Sequence, residues 1–178
     1  MGRPVIVSAC RTPIAKFQGA LASFTAPQLG GLAVAEALRR ANVPVAEVED
    51  VLMGNVLQAG LGQNPARQSL RAAGIPDACS AVTINKVCGS GLKTVMLAAQ
   101  AIKAGDLKVA VAGGMESMSN VPYYLPTART GMRLGHTQAI DGIVWDGLWD
   151  HYNNFHMGNT GELVAQKYGV TRAEQDAY

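Results

Sequence analysis

The sequence predicts an α/β fold in which a mostly parallel β-sheet carries helices on both faces. The main observation is a strand–helix–strand succession. An apolar run at 81–87 leads to Cys88, an amphipathic helix follows, and a second apolar run covers 108–114. Two earlier apolar runs, at 5–10 and 51–56, are likewise separated by a helical pattern. Strands joined through helices pair in parallel, because the helix returns the chain to the same end of the sheet.

The elements follow in order along the chain. The run at 5–10 predicts a buried strand, and a polar loop comes after it. Thr25 and Gln28 have the spacing of a capping box, which predicts a helix that extends to about Asn42. The run at 51–56 then predicts the next strand.

A glycine-rich loop at 59–65 precedes a short helix that is predicted to end near Ala73. Gly60 and Gly62 lack the third glycine of a dinucleotide-binding fingerprint, so this loop does not predict a nucleotide site. The helix after Cys88 is predicted to end at Gly105, the residue type most common just past a helix.

Cys88 is the candidate nucleophile. The exposed N–H groups and the dipole of a helix that begins just after it favour a thiolate, and the same groups can hold an oxyanion. Gly89 and Gly91 leave room for a substrate to approach. Unpaired cysteines are more often inert core residues, which is the prediction for Cys10 and Cys79 and the alternative for Cys88.

Residues 115–157 show little helical or strand periodicity, although they contain both tryptophans and all three histidines. So long an irregular segment predicts a functional excursion, with its aromatic side chains mainly packing it down. His151 and His156 have no cysteine or carboxylate at ligand spacing, so no metal site is predicted.

Composition narrows the function classes. A net charge of +2 gives no reason to expect nucleic acid or an anionic membrane as partner. No apolar run reaches the about 18 residues of a membrane span, and three cysteines favour free thiols in the cytoplasm. A capping box at Thr171 and Glu174 opens a helix just before the last residue, from which we expect the chain to be part of a longer protein.

Several motifs together carry a resemblance to a known family. They are ACRTP at 9–13, GNV at 54–56, GQNPAR at 62–67, NKVCGSG at 85–91, GGMESMS at 113–119, HMG at 156–158 and EQDA at 174–177. In this order they resemble the N-terminal part of a thiolase, an acetyl-CoA C-acetyltransferase. The lysine before Val87 and the HMG motif are similar to the short-chain biosynthetic type.

The resemblance implies a thiolase-like fold: a five-layer α-β-α-β-α enzyme built from two similar halves, with a loop domain inserted in the first. Residues 1–115 would form the N-terminal core domain. Residues 116–178 would form part of the loop domain, which binds CoA and substrate. The family's assemblies are dimers or tetramers, so the resemblance implies a homo-oligomer. Arg129 and Arg133 would fall in the tetramerisation loop, or else are simply solvated.

The resemblance also implies the chemistry. Cys88 would take an acetyl group from acetyl-CoA as a thioester, and its backbone amide would donate to an oxyanion hole. A second acetyl-CoA, deprotonated at its methyl carbon, would attack that thioester and give acetoacetyl-CoA and CoA; the reverse is thiolysis. His156 and Met157 would lie beside the acyl group, and Leu148 would contact the pantetheine arm. Coenzyme A thioesters would be the substrates, and no cofactor or metal is implied.

The family's general-base histidine, second catalytic cysteine and oxyanion-hole asparagine would lie beyond residue 178, so we expect no condensation by these residues alone. Two other functions remain open. One is a non-catalytic CoA-binding or assembly fragment with a vestigial cysteine. The other is a related condensing enzyme that acts on carrier proteins, against which the long loop segment and the motif at 113–117 argue.

Overall fold

A computed structural model describes residues 3–178 of the chain. They form two compact units: one ends at Pro122, and the other comprises Tyr123–Tyr178. The expected boundary between a core domain and a loop domain after residue 115 stays a prediction about the whole protein.

The first unit is an α/β layer structure with a three-stranded parallel sheet. In chain order its elements are α1 (Ala26–Ala41), β1 (Asp50–Gly54), α2 (Pro65–Ala72), β2 (Ser80–Ile84), α3 (Ser90–Ala104) and β3 (Ala110–Gly114). The strand order is β2-β1-β3, so β1 is central. The register places Gly54 opposite Ile84 on one side and Gly114 on the other, so all three strands end at one level.

The core lies between the sheet and its helices. Val51 and Met53 of β1 pack in one cluster with Val34 of α1 and Leu70 of α2. Leu52 is also buried but lies outside that cluster, because alternate strand residues point to opposite faces, and α3 packs against the sheet there. Helices therefore cover both faces, as the sequence predicts.

The predicted helix boundaries of α1 and α3 are confirmed. Thr25 and Gln28 form the capping box, with the Thr25 N–H donating to Gln28 Oε1 at 2.8 Å. Asn42 ends α1 in the left-handed conformation, and Gly105 does the same for α3. Local signals of this kind need no tertiary partner to operate.

The prediction of a strand at 5–10 is wrong. These residues have no strand structure, and Val5, Ile6 and Val7 are 69%, 77% and 70% exposed. Together with residues of α1, α3 and β3 they line a groove of about 500 Å³. An apolar run shows that a segment suits burial, but a strand also needs a neighbour at hydrogen-bonding distance, and none of the described residues pairs with this one.

The three other predicted strands are present but shorter than expected. The runs at 51–56, 81–87 and 108–114 become β1, β2 and β3, each five residues long. At 85–87 the chain leaves β2 for a tight turn that precedes α3. Val87 is therefore apolar without being part of a strand.

The second unit contains short elements and little buried structure. Its elements are β4 (Tyr123–Tyr124), β5 (Ile140–Asp141), a π-helical turn (Val144–Leu148), β6 (Trp149–Asp150), β7 (Phe155–His156), α4 (Met157–Tyr168) and α5 (Arg172–Ala177). Strand β4 pairs antiparallel with β5, and β6 with β7. The capping box at Thr171 and Glu174 is confirmed at the start of α5. Across residues 3–178, every helix is too short or too polar to traverse a bilayer.

Candidate functional site

Cys88 lies at the carboxyl end of the parallel sheet, as the sequence predicts. It falls between Ile84, the last residue of β2, and Ser90, the first of α3. Its side chain is exposed, and it forms no disulfide. In sheets of this kind, ligands bind in the crevice beyond the carboxyl ends of the strands. Within the residues that the structure describes, the thiol is therefore accessible from solvent.

The other two cysteines are less accessible. Cys10 is half-buried, and its thiol donates to the carbonyl oxygen of Ala33 at 3.0 Å. Cys79 is buried, and burial raises the pKa of its thiol, with the Asp50 carboxylate adding to the effect. Cys79 belongs to the buried core cluster, as expected, whereas Cys10 is only half-buried and lies outside that cluster.

The turn that carries Cys88 is unusual in its backbone. Val87 has a φ of 47°, in the left-handed region, where a β-branched residue is a genuine outlier. The Asn85 side chain accepts from the Val87 N–H at 3.0 Å. The amides of Gly89 and Ser90 donate to the Lys86 and Val87 carbonyls at 3.0 and 3.1 Å. Those two amides therefore donate within the turn rather than to an oxyanion. The sequence suggested that several N–H groups at the start of the helix could hold an oxyanion, and these two are already engaged.

Backbone-to-backbone contact fixes the first turn of α3 against the sheet. A Cβ added at Gly54 would lie 2.6 Å from the Gly91 nitrogen, and one added at Gly114 would lie 3.3 Å from the Gly91 Cα. Only glycines at the ends of β1 and β3 allow so close an approach. The fully buried Thr94 adds to it, since its hydroxyl lies 2.7 Å from the Gly91 carbonyl oxygen and 3.0 Å from that of Gly113.

Glu116 joins two strand ends beside this turn. Its Oε1 accepts from the buried Asn55 side chain at 2.6 Å and from the Leu57 N–H at 3.0 Å, while Oε2 accepts from the Val56 N–H at 2.9 Å. Burial raises the pKa of Glu116, and the hydrogen bonds oppose that effect. Sequence reasoning missed this role, because the partners are about 60 residues apart.

In the second unit, Leu148, His156 and Met157 come together at one end of a hairpin. Trp149 pairs with His156 across β6 and β7. Leu148 directly precedes Trp149, and Met157 directly follows His156, so they flank that pair at the open end of the hairpin. Met157 is 44% exposed. The three residues that the resemblance grouped around the acyl chain and pantetheine arm are thus neighbours.

His156 also caps α4, a role the sequence did not indicate. Its Nδ1 accepts from the Gly158 N–H at 2.9 Å. A neutral imidazole that accepts at Nδ1 carries its proton on Nε2, so in that form Nε2 is the donor. Histidine is not among the preferred capping residues, which explains why α4 could not be anticipated.

The candidate residues therefore form two groups, each described within its own unit. Cys88 and its turn belong to the first unit; Leu148, His156 and Met157 belong to the second. Within residues 3–178 no group of three His, Cys, Asp or Glu side chains is placed to hold a metal ion. The chemistry available at the first group is that of an accessible thiol on a strained turn.

Comparison with known proteins gives a consistent result. Residues 4–178 match the thiolase N-terminal domain. The chain is 57% identical over 173 residues to acetyl-CoA acetyltransferase 1 of Arabidopsis thaliana, which covers 97% of this chain and 42% of that protein. It is 52% identical over 174 residues to the acetyl-CoA acetyltransferase of Pseudomonas aeruginosa, with 98% of this chain and 44% of that protein covered. The chain spans less than half the length of these relatives.

A solved structure shows the same architecture. The chain is similar to the crystal structure of Acat5 thiolase from Ascaris suum in complex with coenzyme A. The TM-score is 0.92 at 44% sequence identity, and the match covers 97% of this chain and 45% of that chain. This likeness confirms the thiolase-like α/β fold that the sequence motifs predict.

Proposed function

The chain belongs to the thiolase family, and we propose that it supplies the acyl-accepting part of an acetyl-CoA C-acetyltransferase, with Cys88 as the nucleophile. The observation that carries the proposal is the exposed thiol of Cys88 on a tethered turn at the carboxyl end of the sheet. Two relatives that match nearly the whole chain are named acetyl-CoA acetyltransferases.

In the proposed reaction the Cys88 sulfur attacks the thioester carbonyl carbon of acetyl-CoA. A tetrahedral oxyanion forms, CoA leaves as a thiol after taking up a proton, and acetyl-Cys88 remains. A second acetyl-CoA, deprotonated at its methyl carbon, attacks that carbonyl and gives acetoacetyl-CoA with release of Cys88. Acyl exchange between two sulfurs is nearly balanced in energy, so the covalent step divides the reaction into two accessible ones.

The backbone amide of Cys88 is the proposed oxyanion donor. The next two amides are engaged within the turn. A preorganised N–H that points at the developing charge typically contributes about 10²–10³ in rate. The turn therefore has two tasks in this proposal: it exposes the thiol and it orients one amide.

The hairpin residues have supporting roles in the proposal. Leu148 contacts the pantetheine arm, while Met157 and His156 line the pocket beside the acyl group. With Nδ1 engaged in the capping bond, the Nε2–H of a neutral His156 is a donor suited to a thioester or carbonyl oxygen. The solved relative's complex with coenzyme A supports a CoA thioester as the ligand class.

Selective chemical labelling tests Cys88. On brief treatment of the 178-residue chain with iodoacetamide, we expect Cys88 to react first, then Cys10, and Cys79 last, because their accessibility falls in that order. Acetyl-CoA should slow the labelling of Cys88 and leave an acetyl group on the peptide that contains it. Mass spectrometry of the digested chain measures both, and Cys88→Ser is the control that must lose both signals.

The same experiment distinguishes the alternative, a non-catalytic CoA-binding or assembly fragment. A vestigial Cys88 would still be alkylated before Cys10, because it is the more exposed residue, but it would bind CoA nearby without becoming acetylated. Absence of the acetyl group would therefore contradict the nucleophile assignment while leaving the fold untouched.

Condensation itself is proposed to need residues of the longer protein. We expect the 178-residue chain to accept acetyl groups yet form no acetoacetyl-CoA, and a continuous absorbance assay for acetoacetyl-CoA checks this.

We further propose that the protein is a homo-oligomer located in the cytoplasm. Size-exclusion chromatography with light scattering and imaging of a tagged protein are the respective tests.

A further inference from the structure

The backbone just before Cys88 is strained, and other contacts must stabilise this conformation. Val87 adopts a φ of 47°, although its side chain is 54% exposed and gains little from packing. A left-handed conformation at a non-glycine residue is unfavourable, and it persists only where surrounding contacts over-determine it. The contacts that hold Val87 in place are therefore informative about what the turn is for.

Ser90 provides the tightest of these contacts. Its side chain is almost completely buried, at 4% exposure. The hydroxyl oxygen accepts from the Lys86 N–H at 2.8 Å, and the hydroxyl donates to the Val87 carbonyl oxygen at 2.5 Å. The Ser90 N–H donates to the same carbonyl at 3.1 Å. The Val87 carbonyl is thus held by two donors from one residue.

Pinning that carbonyl also orients the amide of Cys88. The Val87 carbonyl and the Cys88 N–H belong to one planar trans peptide group, and there the C=O and N–H point in opposite directions. Because the carbonyl is directed at Ser90, the Cys88 N–H is directed away from it. Relaxation of Val87 to a negative φ would turn everything that follows its N–Cα bond, including this peptide group and the Cys88 N–H.

We propose that Ser90 is a positioning residue for acyl transfer: its buried hydroxyl clamps the strained turn and so aims the Cys88 N–H at the oxyanion. This inference rests on the proposed function, in which Cys88 is acylated. It assigns to Ser90 no contact with substrate. Its effect is on the orientation of one peptide group.

The test compares two reactions of the same thiol. Acetylation by a small thioester, S-acetyl-N-acetylcysteamine, passes through an oxyanion and requires no CoA contacts, whereas alkylation by iodoacetamide at the Cys88 sulfur forms no oxyanion. For Ser90→Ala we expect the ratio of the acetylation rate to the alkylation rate at Cys88 to fall about tenfold or more. Merely losing access to the thiol would lower both rates together, and the effect of lost stability is measured by a control variant.

Thr94→Val is the matched control. Thr94 is a fully buried hydroxyl in the same helix, and it bonds to Gly91 and Gly113 rather than to the strained turn. Its removal should lower the stability of the chain but leave the acetylation-to-alkylation ratio as in the wild type. An equal fall in that ratio for Thr94→Val and Ser90→Ala would overturn the inference.

A second variant guards against misfolding of Ser90→Ala. Val87→Gly accepts a positive φ without strain, so the backbone no longer pulls against the clamp. We expect Ser90→Ala to lower the acetylation-to-alkylation ratio less in the Val87→Gly background, whereas equal losses of that ratio in both backgrounds would contradict the proposal.

If wild-type Cys88 is alkylated but never acetylated, the proposed function fails first, and this inference with it. If the wild type is acetylated and Ser90→Ala keeps its ratio, only this inference fails.

Discussion

The two groups of candidate residues are held in place by different means. In the first unit, the polar residues that join strand ends and α3 are deeply buried, with Asn55, Ser90 and Thr94 between 0% and 4% exposed. The second unit offers no such support: within residues 3–178, helices α4 and α5 contain no buried residue. Its strands pair over only two residues each.

This contrast separates tertiary from local support. The Cys88 turn owes its geometry to contacts between strand ends and a helix that are far apart in sequence. The hairpin and α4 owe their geometry to capping hydrogen bonds between residues that are only a few positions apart in sequence. Substitutions at the first site should therefore lower global stability, whereas those at the second should act locally and weakly.

The largest effect is expected from filling the space at Gly54. A Cβ there would lie 2.6 Å from two backbone atoms, Gly91 N and Ser90 C, which cannot move as a flexible side chain does. We expect Gly54→Ala to lower the free energy of unfolding by about 1–3 kcal/mol. Urea denaturation followed by far-UV circular dichroism measures the change.

Gly161 in α4 is the matched control. A Cβ there would meet nothing within 4 Å, and its φ is not in the positive range. Gly161→Ala should leave stability unchanged or raise it by about 1 kcal/mol, because alanine favours a helix over glycine. If both substitutions had the same sign and size, the contrast between the two units would be wrong.

The next effect concerns the carboxylate of Glu116. Three N–H donors converge on it, so an acceptor-only group is required. In Glu116→Gln the amide NH₂ must face at least one of those donors, and we expect a loss of about 1–3 kcal/mol. The exposed Glu162 of α4 gives the control, since Glu162→Gln should change stability little. Equal urea midpoints for the two variants would contradict the bridging role of Glu116.

These residues show which parts of the fold the sequence can predict. Thr25 and Gln28, or Thr171 and Glu174, are three residues apart, so their capping boxes were visible in the sequence and are present. The apolar run at 5–10 looked equally clear, yet it forms no strand, because pairing depends on a neighbour that no local pattern contains.

The site divides in the same way. The placement of Cys88 between a strand and a helix followed from periodicity and glycines. The left-handed Val87 did not, because valine is among the residues least suited to that conformation. Ser90 and Glu116 were invisible as supports, since their roles depend on hydrogen-bond directions that only three-dimensional packing determines.

A smaller effect is expected at the cap of α4. His156→Ala removes the acceptor for the Gly158 N–H, while His156→Asn retains one. Losing a capping acceptor costs about 1 kcal/mol, so amide exchange at Gly158 should quicken about fivefold in the alanine variant and little in the asparagine variant. His136→Ala, in an exposed loop, should not change that rate. An accelerated rate in all three variants would exclude a specific capping role.

The smallest effect is expected from an exposed ion pair on α1. Hydrogen bonds from Arg39, and next from Arg40, lower the pKa of Glu36 from 4.5 to about 2. A depressed pKa in the folded state means that the carboxylate contributes stability above about pH 4.5, and that this contribution disappears as the pH falls towards 2. Because the ion pair is exposed, screening by salt should further reduce its contribution to stability.

We therefore expect Glu36→Gln to lower the urea midpoint slightly at pH 7, and the difference from wild type to narrow at pH 3. Glu47→Gln, at an exposed residue beyond the end of α1, should show no such convergence. A difference that widened on acidification would mean that the arginines stabilise the protonated form, contrary to the geometry of the pair.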